Sequence, residues 1–551
     1  MLQGQNHTVR YCVEDISNLF CPPVAIAQYV SFNRTSLTSD ASSRIQPPIA
    51  KKVPHFNTYH GQKYLDEYHW LRDDKRKNKK VLDHLKAENK YSKNLLSPLK
   101  ALEDEIYSEI VGRMSEDDLT YPVTKGGYRY YKTVKGLQYS VRCRKRIVGD
   151  SSAKKEILLD LNKFKEKHLN LGEFEVSPNQ KLLAYTLDTT GSEIYSLFVK
   201  QLEKGTTNLA LKGMTKEIIW SNDGQHLYYI ANDDLHRSYR LFRHKLGNQQ
   251  PSDELLYEEK DKAFGMIIKK SLSEKYLFLE TEKSTSSESY YIDLDDPTSP
   301  LKLFSAREED RMYDIEHQGD SFIVLTNRYL DKKYINNILL RSPIAQQSNE
   351  KDWTKVVPYE ESHYITGVYP LEKYIVFDER VGGFAQLRVI ETSSGAPPKD
   401  NGYPIKFSEP SFIAYADRNY LVYNSTELFF GYALLTTSRS LFKYDLTTRI
   451  RTLLKTDPVL GNFDSKKYVT ERELLHLTMS PYPLYTARIF LRRMVQALLI
   501  FLDMEVLVFQ LIQASVLREY HSLIVGLFTP LPTSGVVLKW GASGMKLKGN
   551  C

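Results

Sequence analysis

A loosely repeated strand–turn–strand pattern in the middle of the chain restricts the fold more than any other feature of the sequence. Residues 174–185 (FEVSPNQKLLAY) match residues 218–229 (IIWSNDGQHLYY) at a spacing of about 44 residues, and weaker copies occur at 315–324 and 368–376. Four strands in each period of roughly 40–50 residues are typical of a β-propeller. Division of residues 117–456 by that period predicts seven blades. A pair of β-sandwiches is the alternative that the same short strands allow.

The segment before the repeats, residues 46–116, has a helical pattern instead. Apolar residues recur at steps of three and four between Val81 and Leu102, which is typical of helices with one buried face. Two or three packed helices are therefore expected between residues 64 and 107. His69 lies at the start of this pattern, where we expect it to pack or cap a helix rather than to catalyse a reaction.

Composition and charge indicate a soluble globular protein of two to four domains. Of the 551 residues, 41% are hydrophobic and 26% are charged, so the chain can bury sizeable cores. The formal net charge of +7 is too dilute for a nucleic-acid-binding surface, and no nucleic-acid partner is predicted.

The cysteines and the N-terminal residues indicate the cellular compartment of the protein. No two cysteines have C-x-x-C spacing, which predicts neither a disulfide framework nor a zinc site and favours the cytoplasm. Residues 1–45, which are rich in Ser and Thr, are a disordered extension or a possible transit peptide to a plastid or mitochondrion. The four cysteines are Cys12, Cys21, Cys143 and Cys551.

Three acidic clusters could be imagined as catalytic or metal-binding carboxylates. They lie at residues 117–118, 308–310 and 360–361. Acidic clusters in a propeller are usually solvated loops, and no pair of histidines at metal-ligand spacing accompanies them. We assign them no role and predict no metal and no cofactor. Residues 380–383 (RVGG) are expected to form a blade turn in which the two glycines adopt positive φ.

Several collinear motifs together resemble the prolyl oligopeptidase family of serine peptidases, and most closely its oligopeptidase B branch. The resemblance runs from about residue 47 to residue 472, about three quarters of the chain. The motifs are YHWLRDD at 68–74, AENKY at 87–91, GRMSEDD at 112–118, GEFEVSP at 172–178, ERVGG at 379–383, GY at 431–432, YDL at 444–446 and YVTER at 468–472.

The resemblance implies a seven-bladed propeller paired with an α/β-hydrolase domain that carries a Ser, Asp and His triad. It also implies oligopeptide substrates, cleaved after basic residues or after proline. Such a serine lies in a G-x-S-x-G turn between a strand and a helix. No G-x-S-x-G occurs after residue 472, so no catalytic residue is named and the chain as written is expected to be inactive.

Residues 473–551 differ in composition from the rest of the chain. Only 11 of these 79 residues are charged, and lysine is absent until Lys539. These residues were back-translated into the codons that they allow, and the codons were read in one constant shifted frame. That frame permits strings such as GYGSFGISIDP and DRGFIYAIAHIRGGSEMGRQWYE, which resemble the family's hydrolase domain. We therefore interpret residues 457–472 as a linker and residues 473–551 as an out-of-frame tail that replaces the catalytic domain.

Two other hypotheses follow from the same sequence. The first is a stand-alone propeller that binds peptides or proteins as a scaffold. The second is a membrane-tethered propeller anchored by the apolar run at 494–517. Asp503 and Glu505 lie at the centre of that run, and acidic side chains at the middle of a membrane are costly, so a membrane partner is disfavoured.

Overall fold

A computed structural model describes the chain from residue 46 onward, with gaps. The described residues are 46–147, 154–330, 332–347, 349–392, 401–409, 411–461, 463–468, 470–477, 484–491, 538–539 and 546–547. The described residues up to Met114 form one compact unit, and those from Ser115 onward form the other. The possible transit peptide, the apolar run at 494–517 and three of the four cysteines lie outside the described residues. Cys143 is buried.

The first unit contains a hairpin and two helices. The hairpin turns at His60 and Gly61, which both have positive φ, as a two-residue turn of the I′ type requires. Asn78 caps the first helix by accepting a hydrogen bond from the Lys80 N–H at 3.1 Å, which satisfies one of the free donors of the first turn. The elements are β1 (Phe56–Tyr59), β2 (Gln62–Leu65), α1 (Lys79–Leu96) and α2 (Lys100–Arg113), with a short 3-10 turn at Ser97–Leu99 between the helices.

The helices of this unit bury little of their apolar surface. Val81 is the buried residue of α1, and α2 has none. Large apolar side chains are exposed on both helices and between them, namely Leu82, Leu85, Leu95, Leu96, Leu99, Tyr107, Ile110 and Val111.

The second unit is a β-propeller built from antiparallel sheets. In each sheet the strand order follows the chain, apart from β4, which pairs with β5 beside the main path. The first sheet contains β3 (Asp117–Leu119), β4 (Val123–Lys125), β5 (Tyr128–Lys135), β6 (Val141–Arg146) and β7 (Glu156–Leu159). The second sheet contains β8 (Asn170–Val176), β9 (Leu182–Asp188), β10 (Tyr195–Gln201), β11 (Thr207–Trp220), β12 (His226–Asn232), β13 (Ser238–Lys245) and β14 (Glu254–Glu258).

The remaining propeller sheets have four strands each. The third sheet contains β15 (Gly265–Lys270), β16 (Tyr276–Lys283), β17 (Ser286–Asp293) and β18 (Lys302–Ser305). The fourth contains β19 (Tyr313–Gln318), β20 (Ser321–Tyr329), β21 (Lys332–Pro343) and β22 (Thr354–Lys355). The fifth contains β23 (His363–Pro370), β24 (Tyr374–Val381), β25 (Phe384–Glu391) and β26 (Tyr403–Pro404). The sixth contains β27 (Ile413–Ala416), β28 (Glu427–Leu434), β29 (Thr437–Asp445) and β30 (Arg451–Thr456).

The prediction of a propeller is confirmed, but the prediction of seven separate blades is wrong. Within the described residues five sheets form separate blades of four or five strands, and the second sheet has seven strands. The physical reason is the 14-residue strand β11. It pairs with β10 from Thr207 to Met214 and with β12 from Met214 to Trp220, so one continuous strand joins the two groups of strands despite register shifts near Gly213.

The predicted repeat marks a tight turn between two consecutive strands, β8 and β9 in the first copy and β11 and β12 in the second. Ser177 and Ser221 each begin such a turn, and each donates its N–H to a carbonyl five residues later. A third copy at residues 268–279, which the sequence comparison missed, places Ser271 in the same role. The RVGG turn is also as predicted, because Gly382 and Gly383 have φ of 57° and 81° and join β24 to β25.

Apolar cores lie between successive sheets. The largest fully buried side chains include Tyr228, Phe278, Phe322, Phe377 and Phe430. Burial of one such side chain contributes roughly 1.5–3 kcal/mol, so these inter-sheet cores supply most of the stability of the propeller.

Among the described residues, the sixth sheet meets the first sheet through side-chain contacts and not through a backbone ladder between strands. The Tyr420 hydroxyl donates to the Tyr121 carbonyl at 3.1 Å, and both rings pack near Phe429. The Lys455 ammonium lies 2.5 Å from the Asp118 carboxylate. We call this contact the seam.

Beyond the propeller the described residues form two short hairpins. One joins β31 (Thr470–Leu477) to β32 (Leu484–Leu491), and the other joins β33 (Leu538–Lys539) to β34 (Lys546–Leu547).

Candidate functional site

The inner strands of the propeller bring charged side chains together at one mouth of its axis. The first strands of the sheets are innermost in a propeller and run in the same direction, so their carboxyl ends meet at one mouth. Side chains from five of the six sheets meet there, and we call them the mouth network. They are Lys125, Glu175, Asn222, Lys270, Glu274, Glu316 and Arg418.

Arg418 links three sheets within this network. It follows β27 of the sixth sheet, and its Nη1 lies 2.7 Å from Oε1 of Glu316 in the fourth sheet. Its Nη2 donates to the carbonyl of Lys270 in the third sheet at 2.8 Å. The other carboxylate oxygen of Glu316 accepts the Leu272 N–H at 3.3 Å. Both oxygens of this buried carboxylate are therefore satisfied, as burial of a charge requires.

Lys125 links the first sheet to the third. Its Nζ lies 2.8 Å from the Glu274 carboxylate, which also has the Lys270 ammonium at 3.6 Å. Lys270 donates in turn to the Asn222 side-chain oxygen at 3.0 Å. Burial opposes ionisation of Glu274, but Lys125 and Lys270 together hold its pKa below the usual value.

Glu175 completes the network on the second sheet. Burial raises the pKa of its carboxyl, and Lys125 and Lys270 offset part of that effect. The mouth network therefore contains three cations and three or fewer anions at neutral pH. Such cross-linked charges can close a passage, but they hold no paired nucleophile and base of the kind that peptide hydrolysis requires.

A second charged cluster is buried between the third and fourth sheets. The Lys269 ammonium contacts the carboxylates of Asp314 and Glu280. Burial alone would lower the pKa of Lys269, but the two acids raise it. This cluster ties two sheets together beside the axis and leaves no group free for chemistry.

Asp378 and Tyr369 form a buried acid–phenol pair on the fifth sheet. The Tyr369 hydroxyl donates to Asp378 Oδ2 at 2.9 Å, and the Ala416 N–H donates to Oδ1 at 3.2 Å. Burial raises the pKa of Asp378 to about 7, despite these two hydrogen bonds.

A groove lies between the fourth and fifth sheets. Its void space, which opens to solvent, is about 380 Å³, and it is lined by residues that include Tyr359, His363, Glu379 and Arg388. Glu379 accepts from Arg388 at 2.9 Å, and His363 lies between Glu379 and Glu360 at 3.4 and 3.2 Å. These charged groups already satisfy one another, so the groove presents no polar group that calls for a ligand.

The acidic clusters singled out in the sequence are ion-paired in the structure. Asp118 pairs with Lys455 at the seam, and Glu360 lies against His363. The cluster at 308–310 pairs with basic residues of its own and neighbouring strands, namely Lys283, Arg311, Arg328 and Lys333. His69 stacks on His55 with ring centroids 3.7 Å apart, which is a packing role.

Sequence analysis missed the mouth network entirely. Arg418 and Lys270 are 148 residues apart, and no local motif connects them. The repeat contains a partial signal, because two charged residues stand two positions before a turn serine. They are Glu175 of the mouth network, before Ser177, and Lys269 of the second cluster, before Ser271.

Two general features of the described residues restrict the function. Among them, no three His, Cys, Asp or Glu side chains cluster in a way that could hold a metal ion. Neither helix of the described part of the chain has the length and apolar character that a membrane crossing requires.

Comparison with known proteins identifies the region that contains the propeller. Residues 47–457 match the family model of the prolyl oligopeptidase N-terminal beta-propeller domain. The chain is 31% identical over 437 residues to Protease 2 of Moraxella lacunata, a match that covers 77% of this chain and 60% of that protein. It is also 31% identical over 458 residues to dipeptidyl aminopeptidase BI of Pseudoxanthomonas mexicana, with 80% and 61% covered.

Solved structures agree with this assignment. Oligopeptidase B from Leishmania major superposes with a TM-score of 0.74 at 26% identity, over 82% of this chain and 66% of that one. Oligopeptidase B from Trypanosoma brucei with covalently bound antipain gives a TM-score of 0.73 at 26% identity. The chain spans about three fifths of the length of the curated relatives it matches.

Proposed function

The chain belongs to the prolyl oligopeptidase family, in its oligopeptidase B branch, and from that premise we propose that its propeller admits oligopeptides to a serine-peptidase domain and excludes folded proteins. The observation that supports this function most directly is the mouth network. Its ion pairs cross the axis from the sixth sheet to the third and from the first to the third. A chain that entered by this mouth would have to displace these charge pairs, and a folded protein is too wide to do so.

The substrates follow from the named relatives and are part of the proposal. Oligopeptides cleaved after basic residues are favoured over those cleaved after proline, because oligopeptidase B and Protease 2 are among the proteins that the chain matches. The residues that would set this preference belong to the catalytic domain. Measurement of kcat/KM in the frame-restored protein, on matched fluorogenic peptides with Arg, Lys or Pro before the scissile bond, decides between the two classes.

We further propose that residues 473–551 are read in a different frame from that of the family's hydrolase domain and that the chain with this tail is inactive. The transcript and genomic DNA should be sequenced from codon 465 onward. We expect the shifted frame to continue into a Gly-x-Ser-x-Gly turn followed by Asp and His. Stop codons in that frame, with the present tail confirmed in the transcript, would contradict this proposal.

The gating role can be tested in the frame-restored protein. Arg418→Ala should remove the contacts of Arg418 to Glu316 and Lys270, so kcat/KM for a peptide of about 30 residues should rise several-fold relative to a peptide of about 8. Arg146→Ala serves as the control, since Arg146 is exposed at the end of β6 and takes no part in the mouth network. An unchanged ratio of long to short substrates in Arg418→Ala would show that the network does not gate.

A stand-alone peptide-binding scaffold is the second candidate. It is favoured by one observation, that the described propeller closes on itself through the seam. Calorimetry of the 551-residue chain with basic and neutral octapeptides tests it. Binding in the micromolar range by the chain as written would support the scaffold, whereas activity confined to the frame-restored protein would support the gate.

Two finer points are also proposals. The seven-stranded second sheet can be divided into two groups of strands that share β11, because Gly213 adopts a φ of 72° next to the change of pairing partner. A cytoplasmic location is proposed, or an organelle if residues 1–45 direct import. Microscopy of fluorescent fusions with and without residues 1–45 distinguishes the two locations.

A further inference from the structure

Two like charges face each other on the first sheet of the propeller. Lys132 on β5 is directly opposite Arg142 on β6 in the antiparallel ladder. Like charges at directly opposite positions repel each other and destabilise a sheet. Arg142 is half-buried, so water screens this repulsion poorly there, whereas Lys132 is exposed and open to an approaching solute.

Among the described residues, no acid lies within ion-pair distance of the Lys132 ammonium or the Arg142 guanidinium, and no side-chain hydrogen bond reaches either group. Asp417 attracts Lys132 and Glu173 attracts Arg142 only from farther away, and Nε of Arg142 is shielded from water without an acceptor. The contact that Arg142 does make is with the Phe174 ring, whose centroid lies 5.4 Å from the guanidinium carbon. A shielded N–H without an acceptor is uncommon in folded proteins.

The next arginine on the same strand shows how this fold normally satisfies such a group. Arg144 points to the same face, two residues along β6, and its guanidinium donates to both oxygens of Glu156 at 2.7 and 3.1 Å. It also donates to the Gln180 carbonyl at 3.1 Å and stacks on Tyr128. Arg142 has the same side chain and strand but none of these partners.

Two acids attract these cations from a distance, Asp417 acting on Lys132 and Glu173 acting on Arg142. Both are poor partners. Asp417 is already engaged by the Asn419 amides at 3.2 and 3.0 Å and lies 3.7 Å from Arg439. Burial and repulsion from Glu175 and Glu217 raise the pKa of Glu173 to about 7, so this carboxyl is partly neutral at physiological pH. The pair therefore keeps a net positive charge.

We propose that Lys132 and Arg142 form a binding site for a small oxyanion, a carboxylate or a phosphate group. An ammonium and a guanidinium on adjacent strands suit the oxygens of such a group, and Arg in particular binds them with two parallel N–H donors. Two sources share this chemistry, namely the C-terminal carboxylate of an oligopeptide and inorganic phosphate. The carboxylate source rests on the proposed function, whereas the phosphate source is independent of it.

The first test is thermal unfolding of the 551-residue chain with and without inorganic phosphate at constant ionic strength. Phosphate at 100 times its Kd should raise the Tm by several degrees. Lys132→Gln and Arg142→Gln should abolish this rise. Arg129→Gln is the matched control, because Arg129 is opposite Lys145 on the other face of the same hairpin and is exposed. An equal rise in all four proteins, or none in the unsubstituted chain, overturns the phosphate source.

The second test identifies the peptide source. Two acetylated tetrapeptides of one sequence, one with a free C-terminal carboxylate and one with a C-terminal amide, are titrated into the same proteins. If the carboxylate is the ligand, the acid should bind at least tenfold more tightly than the amide, and the two glutamine variants should lose that difference. Equal binding of acid and amide together with a phosphate effect assigns the site to phosphate, and failure of both tests overturns the site.

A third measurement separates loss of binding from loss of folding. In phosphate-free buffer of low ionic strength, Lys132→Gln removes the repulsion and should raise the Tm by a few degrees. In saturating phosphate it should instead lower the Tm relative to the unsubstituted chain. A Lys132→Gln protein that melts lower in both buffers contradicts the proposal.

Discussion

At the scale of single residues, buried polar side chains are held in place by hydrogen-bond partners on neighbouring strands. His244 and Asp253 are both buried, with Nδ1 of His244 2.7 Å from Oδ1 of Asp253. The Tyr229 hydroxyl donates to the other Asp253 oxygen at 2.9 Å. The two aromatic side chains are thus oriented by one carboxylate, which holds β12, β13 and the start of β14 together.

Asp253→Asn should lower the free energy of unfolding by about 2–4 kcal/mol, because the substitution turns an acceptor into a donor that faces the Tyr229 hydroxyl and leaves buried groups unpaired. Urea unfolding measures the effect. Asp234→Asn, in an exposed turn, should change the free energy by less than about 0.5 kcal/mol. Equal effects in the two variants would show that the network is not structural.

The raised pKa of Asp378 predicts a pH dependence. The folded-state value of about 7 lies above the value near 3.9 expected in the unfolded chain. The folded state therefore holds the proton more tightly, and its stability falls as the pH rises from about 4 to 7. Asp378→Asn should remove this pH dependence. As the pH rises from 5 to 8, the free energy of unfolding of the variant should therefore gain about 1–2 kcal/mol relative to that of the unsubstituted chain. Urea midpoints at the two pH values measure it, and parallel curves would contradict the pKa.

At the scale of elements, turn residues decide where strands end. The β24–β25 turn needs positive φ at Gly382 and Gly383, a conformation that other residues adopt only with strain. Gly383→Ala should therefore lower the free energy of unfolding by about 1–2 kcal/mol. Gly112→Ala is the contrasting variant, since Gly112 lies in α2 with open space around its Cα and alanine favours helix by up to about 1 kcal/mol. Destabilisation by both substitutions would contradict this account.

The seam is the other element on which the ring depends. Tyr420→Phe removes a single hydrogen bond to the Tyr121 carbonyl and should lower the free energy of unfolding by about 1 kcal/mol. Tyr420→Ala also removes the contacts with Tyr121 and Phe429 and should lower it by about 3 kcal/mol. Chemical denaturation distinguishes the two, and a negligible effect of Tyr420→Ala would mean that the seam contributes little to stability.

Sequence reasoning was most successful for elements whose signal is local. The turns at residues 177–181 and 221–225 and the RVGG turn follow from residue types that favour them, and the propeller follows from their spacing. The separation into seven sheets failed because nothing in residues 207–220 forces β11 to end, and Gly213 alone does not interrupt the pairing. Arg418 could not be assigned a role, because its contacts depend on the closure of the ring.

At the scale of the whole molecule, the exposed helices of the first unit control solution behaviour. Leu85 and Leu96 are about half exposed, and apolar groups of this kind promote association. The 551-residue chain is expected to have low stability and to associate. Leu85→Gln with Leu96→Gln should shift it toward the monomer in light scattering without a loss in Tm. A sharp cooperative melt of a monomeric unsubstituted chain would contradict this expectation.

The strand β11 and the seam also give the ring an uneven mechanical stiffness. Where β11 passes from β10 to β12, two groups of strands are joined by one continuous covalent strand. At the seam, the two sheets are held by one hydrogen bond, ring contacts and one ion pair instead of a backbone ladder. A force that widens the ring is therefore expected to separate Tyr420 from Tyr121 before it separates β10 from β12, so the seam acts as the hinge line of the propeller.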